Sequence, residues 1–138
     1  MSQENVEIVQ QVFDAAARED SATVFQLYAA AVEFDSTRSP FPNLVGGGRV
    51  YRGHDDLRTF FQERSEHMEN LTDDCEELID AGDQVVTVVV TRGRGRASGV
   101  EVTSPRYAAV WTIRNGKIVR VVWLPTRAEA LEAAGLSE

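Results

Sequence analysis

From Gln84 to Leu124 the chain carries three β-rich runs, roughly 84–96, 100–114 and 117–124, and the last two meet at Asn115-Gly116. β-Branched and aromatic residues dominate them, as suits a pleated, half-buried surface, so they read as an antiparallel meander. The register of the final hairpin decides which side chains share a face. A two-residue Asn115-Gly116 turn would set Trp111 against Arg120, mixing core and solvent residues. A three-residue loop, Arg114-Asn115-Gly116 with the glycine left-handed, pairs Trp111 with Val119 and Tyr107 with Trp123. It collects Tyr107, Ala109, Trp111, Ile113, Val119, Val121 and Trp123 on one face. Arg106, Val110, Thr112, Ile118, Arg120, Val122 and Leu124 take the other. A slip of one residue exchanges the faces. The three-residue loop is therefore the expected one, with the aromatic face inward.

Helical spacing precedes the meander. Val6, Val9, Val12, Phe13, Ala16 and Ala17 form a stripe over about Gln3–Arg18. Asp20 stands as an N-cap for a second helix, with Val24, Leu27 and Tyr28 on its buried face and Ala29-Ala30-Ala31 closing it. Val32–Asp35 alternates like a short strand. The stretch 36–48, with Pro40, Pro42 and Gly46–Gly48, reads as a long loop of the kind that covers a site. Arg49–Arg52 is extended, and Gly53 leads into a third helix with Leu57, Phe60, Phe61 and the stem of Arg64 on its core face. Thr126 and Glu129 have capping-box spacing for a last helix ending at Gly135. Segregated helices and strands mean an α+β fold with helices packed on one face of a curved sheet.

At 138 residues, 43% hydrophobic and 26% charged, the chain reads as one soluble globular domain spanning 1–138. No apolar run approaches the ~20 residues of a membrane span. The first residues lack the basic and apolar blocks of a signal peptide, so a cytoplasmic location is expected. The single cysteine, Cys75, excludes an internal disulfide. A net charge of −8 argues against nucleic acid as a partner. Residues 63–83 hold nine acids and one base, whereas 92–127 hold eight bases and one acid. Both segments read as solvated edges of one sheet.

Several stretches then come in the order and spacing of a known family: Glu4-Asn5-Val6-Glu7-Ile8-Val9, Leu27-Tyr28, Val32-Glu33-Phe34-Asp35, Tyr51-Arg52-Gly53-His54-Asp55, Ala81-Gly82-Asp83, and Trp111 through Ile118. The whole chain resembles SnoaL-like proteins of the nuclear transport factor 2-like superfamily. The resemblance implies a cone-shaped α+β fold, with a deep pocket between helices and concave sheet, and a homodimer. Polyketide cyclases, ketosteroid isomerases and limonene epoxide hydrolases share that fold, so fold alone does not settle function. The isomerases' aspartate base would fall at Asp35 or Ser36. Their oxyanion tyrosine would fall at Val12 or Phe13 and their second aspartate at Ala109 or Ala108, none of which can donate from a side chain. The acid that the epoxide hydrolases carry on the last strand is missing at Val121 and Trp123. No inward acid of the cyclase kind can be placed on the long strands.

Among individual residues, Asp35 ends a strand beside the long loop, where burial under Phe41 would make it a general base. It reads equally well as a turn cap for Ser36-Thr37. Arg92 continues the side of its strand that carries Val86, Val88 and Val90. If Val88 pairs with Tyr107, that side faces the pocket and Arg92 can hold a substrate oxygen at its mouth. Otherwise it is one of three exposed arginines. Tyr28, Phe60, Val88, Tyr107, Ala109, Trp111, Val121 and Trp123 are the expected substrate-binding wall, although aromatics at core spacing also serve as plain core. His54 is expected to be structural, and with His67 it forms no metal motif. Cys75 lies among four carboxylates, which raise a thiol's pKa, so it is no nucleophile. No dinucleotide fingerprint, P-loop or serine elbow occurs. No cofactor is expected.

These residues support a cofactor-free isomerase, cyclase or hydratase acting on a hydrophobic cyclic molecule, with Asp35 as base and Arg92 or Tyr107 at the oxygen. A non-catalytic module binding a hydrophobic small-molecule ligand is the alternative, and a dimerising scaffold with a filled cone is a third. The outer face, with Val110, Ile118, Val122 and Leu124, suggests a sheet-to-sheet homodimer.

Overall fold

The computed structural model describes residues 2–40 and 48–136. Most of the long loop, including Phe41, Gly46 and Gly47, lies outside them. The order is α1 (Ser2–Ala17), α2 (Ser21–Leu27), β1 (Tyr28–Asp35), β2 (Val50–Arg52), α3 (Gly53–His67), β3 (Met68–Ala81), β4 (Gln84–Gly95), β5 (Glu101–Thr103), β6 (Tyr107–Arg114), β7 (Lys117–Leu124) and α4 (Arg127–Ala133). The strands form one curved, unclosed sheet in the order β2-β1-β7-β6-β4-β3, with β5 also on β4. Pairing is antiparallel except between β1 and β7, which run parallel. No helix among the described residues is long and apolar enough to cross a membrane.

Two buried clusters lie on opposite sides of the sheet. On the concave side Val9, Val12, Val24, Leu57 and Phe60 of α1–α3 pack on Phe34, Val89, Tyr107, Trp111 and Trp123. On the convex side Ala130 and Leu131 of α4 cover Val86, Ala108, Val110 and Leu124. The Thr126 side chain caps α4 by accepting from Glu129 N at 3.2 Å, so the capping-box spacing is realised. The apolar outer stripe is thus partly covered by the chain's own last helix.

Three expectations are corrected by irregularities in the ladder. The final turn has two residues, since Asn115 and Gly116 both have positive φ (52° and 75°) and Arg114 pairs with Lys117. A register shift after Ile113↔Ile118 leaves Val119 unpaired, so Trp111 meets Val121 and Ala109 meets Trp123. Val121 and Trp123 face inward as expected. Ile118 joins them in the concave cluster instead of the outer face.

The second correction concerns β4. Arg92 pairs with Thr103, a ladder that would bring Val88 to Tyr107 if it ran unbroken. Pro105 has no N–H to offer, and the Ser104-Pro105-Arg106 step inserts one residue. Tyr107 therefore meets Val89, and Val88 meets Ala108. Val88 and Arg92 consequently turn to the convex side, away from the cone. Thirdly, Tyr28 and the three alanines belong to β1, drawn from the helix by pairing with β7 that starts at Tyr28↔Ile118. The acidic stretch itself is β3, a 14-residue edge strand on β4.

Candidate functional site

A cavity of about 560 Å³ opens between α1–α3 and the concave sheet, within the usual range for small-molecule sites. Val12, Phe13, Phe25, Tyr28, Phe34, Phe60, Phe61, Tyr107, Trp111 and Trp123 line it. Their rings interlock: Phe34 and Phe60 stand 4.5 Å apart by centroid, Tyr107 and Trp123 5.6 Å, and Trp111 and Trp123 6.0 Å. Of the expected binding wall, Tyr28, Phe60, Tyr107, Trp111 and Trp123 reach the cavity. Ala109 and Val121 face inward but lie in the layer beneath, fully buried. Val88 is on the other side of the sheet.

Glu19, Asp20, Arg58, Gln62 and Asp74 also line the cavity, and one polar cluster lies among the rings themselves. Arg64, on the last turns of α3, meets Asp73 of β3 with two parallel bonds, Nη1 to Oδ2 at 2.9 Å and Nη2 to Oδ1 at 2.5 Å. Thr91 of β4 lies opposite Asp73 and donates its hydroxyl to Oδ1 at 2.7 Å. Since that spends the threonine's proton, the Tyr107 hydroxyl, 2.5 Å away, is the donor to Thr91 Oγ1. Oδ1 thus accepts from two groups and Oδ2 from Arg64 alone.

Burial by itself would push the Asp73 carboxyl up. The charge and hydrogen bonds of Arg64, with the Thr91 hydroxyl, outweigh burial and hold it below the ordinary carboxylate range. Arg64 loses to burial but gains more from Asp73, so its pKa rises. Burial, then the Asp73 charge, pushes the phenols of Tyr28 and Tyr107 far above their usual value. The cluster therefore holds an ionised carboxylate and its paired guanidinium, and the Tyr28 and Tyr107 phenols of the wall stay protonated.

Asp35 does not join them. It pairs with Val122 on the convex side of β7, while its neighbour Phe34 turns inward against Val121. Asp35 Oδ1 accepts from the Thr37 backbone at 2.9 Å and the Thr37 hydroxyl at 2.6 Å, the turn-capping arrangement. Arg92 is half-exposed and ion-paired with Asp74. His54 Nε2 bonds the Tyr28 carbonyl at 3.0 Å and tethers α3 to β1. Burial lifts the Cys75 thiol to about 11.

Asp73 and Arg64 are legible in the sequence only in part. Leu71, Asp73 and Cys75 occupy every second position of an otherwise polar run and are the more buried set. That alternation marks a strand with an acid on its inner face. No group of His, Cys, Asp and Glu among the described residues could hold a metal ion.

Solved structures share this architecture. An NTF2-like protein from Burkholderia thailandensis is 28% identical, with 91% of this chain and 95% of that one covered and a TM-score of 0.73. TerC co-crystallised with polyporic acid is 18% identical, with 96% and 98% covered and a TM-score of 0.73. Rv0760c from Mycobacterium tuberculosis, in complex with estradiol-17beta-hemisuccinate, is 16% identical, with 87% and 92% covered and a TM-score of 0.71. No curated protein matches the chain significantly. The SnoaL-like domain model matches residues 9–121, and with the cone, its helices and its aromatic cavity in place, the chain belongs to the SnoaL-like family.

Proposed function

We propose that the cone takes up a hydrophobic cyclic molecule and acts on it by proton transfer, as an isomerase, cyclase or hydratase working with its own side chains. The observation that carries this reading is an ionised, ion-paired carboxylate, Asp73, in the wall of the cavity beside the ring of Tyr107. Asp73 takes the role expected of Asp35 from the sequence. Arg64 keeps it in the proton-accepting form at neutral pH, and Oδ2, with a single donor on it, has room for the substrate's proton. The Tyr28 phenol, held protonated, is the acid nearest in kind to what a developing enolate needs. Proteins of this fold that hold polyporic acid and an estradiol ester support ring compounds as the substrate class.

The test compares turnover of a model enone or epoxide by wild type, Asp73→Asn and Asp35→Asn. Asp73→Asn should lose ~10²–10⁴ in rate, the usual worth of a general base, and Asp35→Asn should keep full rate. Undiminished turnover in a folded Asp73→Asn protein sinks the catalytic reading.

A second reading, a non-catalytic binding module, is favoured by the same ion pair, because a carboxylate held below its ordinary pKa is a weakened base. Ring binding without turnover of any model substrate would select it. The reading includes a cytoplasmic homodimer that uses the convex face around Val122, which α4 leaves half-buried. Sedimentation as a monomer at micromolar concentration counts against the dimer.

A further inference from the structure

We infer that Thr91 and Ser104 are positioning residues for the Asp73 carboxylate. Ser104 anchors Thr91 at a break in the sheet, and the Thr91 hydroxyl decides which Asp73 oxygen is left for the substrate. The inference rests on the proposal that Asp73 is the base, and adds what aims it.

Both are among the few polar side chains that the described residues bury, Thr91 wholly and Ser104 at 6% exposure. Thr91 continues the inward side of β4 after Val85, Thr87 and Val89. A hydroxyl buried on that side costs free energy unless it is hydrogen-bonded. Thr87 is accounted for by the indole of Trp111, which donates to it at 2.9 Å. Thr91 instead donates to Asp73 and accepts from Tyr107.

Thr91 stands where the ladder on one side of β4 is interrupted. Pairing with β6 reaches only Val89, and pairing with β5 begins at Arg92. Ser104 fills the gap. Its N–H donates to the Thr91 carbonyl at 2.8 Å, and its hydroxyl accepts from the Thr91 N–H at 2.9 Å while donating to the Pro105 carbonyl at 2.9 Å. A side-chain oxygen thus stands in for the backbone acceptor that the break removes. On its other side Thr91 pairs with Asp73 itself in β3.

Arg64 alone would leave the carboxylate loosely aimed, because it holds the group to α3 and the last torsion of an aspartate is soft. Thr91 adds a hold from the sheet on Oδ1. The Tyr107 phenol, donating to Thr91, keeps the threonine's proton directed at that oxygen. Oδ2 is left with Arg64 Nη1 as its donor. The charged and titratable groups that face Asp73 are Arg64 from α3, Tyr107 from β6 and Tyr28 from β1. Asp74, next along β3, is paired with Arg92.

The test follows turnover of the same model enone or epoxide by the full chain against pH. Fluorene, a rigid ring hydrocarbon, is titrated calorimetrically as a control for the cavity. Thr91→Val should lower kcat roughly tenfold to a hundredfold, the scale of a misaligned group, with KM and fluorene affinity close to wild type. Its acid limb should move to higher pH, because a hydrogen bond that favoured the ionised carboxylate is gone. A hydroxyl that only weakened the base would give the reverse change in kcat, since a stronger base is faster. Thr91→Ser should restore both rate and limb. Ser104→Ala should lower kcat in the same direction by less, and it carries the test if Thr91→Val does not fold. An undiminished or raised kcat in Thr91→Val, an acid limb that stays in place, or a fall in rate matched by lost fluorene affinity overturns the inference. So does a Thr91→Ser protein as slow as Thr91→Val, or an undiminished Ser104→Ala. Each of these leaves Asp73 as the base. Turnover that survives Asp73→Asn, or is absent from wild type, overturns both.

Discussion

Leu71 sits over Gly93 so closely that a β-carbon on the glycine would stand 2.9 Å from Leu71 Cδ2, with Met68 Cε at 3.2 Å. Leu71 is also part of the cavity wall. The absent side chain on β4 is thus what lets an edge-strand leucine reach the ligand space. Gly93→Ala should cost only about 1 kcal/mol, the low end for overpacking, because the atoms displaced are ends of flexible side chains. Its larger effect should be on the affinity for fluorene, as Leu71 leaves its place. Urea unfolding and calorimetry on the same variant separate the two, and unchanged affinity would show that Leu71 does not shape the cavity.

The Arg64–Asp73 pair should behave as a buried pair does when one partner is removed. The side chains are only 12% and 26% exposed, so Asp73→Ala strands a guanidinium and should destabilise by about 3 kcal/mol. The double variant Arg64→Met/Asp73→Leu should recover most of that loss. Urea midpoints for the three proteins check it, and a double variant no better than the single would show that the pair stabilises on balance.

The same pair dictates a pH dependence. The folded Asp73 carboxyl lies below its ordinary value of 3.8, so its contribution to stability is full above that value. It is lost as pH falls toward and through the lower folded value. The stability gap between wild type and Asp73→Asn should therefore be constant from pH 7 to about 5 and close below about pH 4. A gap that persists unchanged at pH 2.5 would contradict the direction of the shift.

Trp111 and Trp123 are the chain's tryptophans and are 2% and 7% exposed. Iodide should quench neither efficiently, and 9-fluorenone should quench both by entering between them and the helices. Ready iodide quenching would place an indole outside the cone.

Leu131 of α4 is 5% exposed and packs on the convex side of the sheet. Leu131→Ala should cost about 2 kcal/mol or more, the lower range for a buried leucine. A change under about 0.5 kcal/mol, the size usual for surface sites, would mean that α4 is not docked.

Much of this architecture is legible from residue patterns alone, and the misassigned faces of the meander share one cause. The helix stripes, the Thr126 cap, the inward Tyr107, Trp111 and Trp123, and the cone itself follow from periodicity and resemblance. Val88, Arg92 and Ile118 stand on the side opposite to the expected one because each lies beyond a one-residue irregularity, the Ser104-Pro105 step or the unpaired Val119. Alternation carries a face assignment only as far as the next such break. Asp73 is hidden for another reason: among nine acids in 21 residues, composition says solvent. Its alternation with Leu71 and Cys75 and its pairing with Arg64 across the cone distinguish it from its neighbours.

Val119 gives β7 one residue more than its partner strand, since Ile113 pairs with Ile118 and the adjacent Thr112 with Arg120. Taking Val119 out would leave those pairs, and Trp111↔Val121 and Ala109↔Trp123 beyond them, in an unbroken ladder with the indole still toward the helices. The stretch from Val121 to Trp123 holds no such spare position, and losing Val122 would turn the indole to the side of α4. The hairpin should therefore absorb the loss of Val119 and not the loss of Val122.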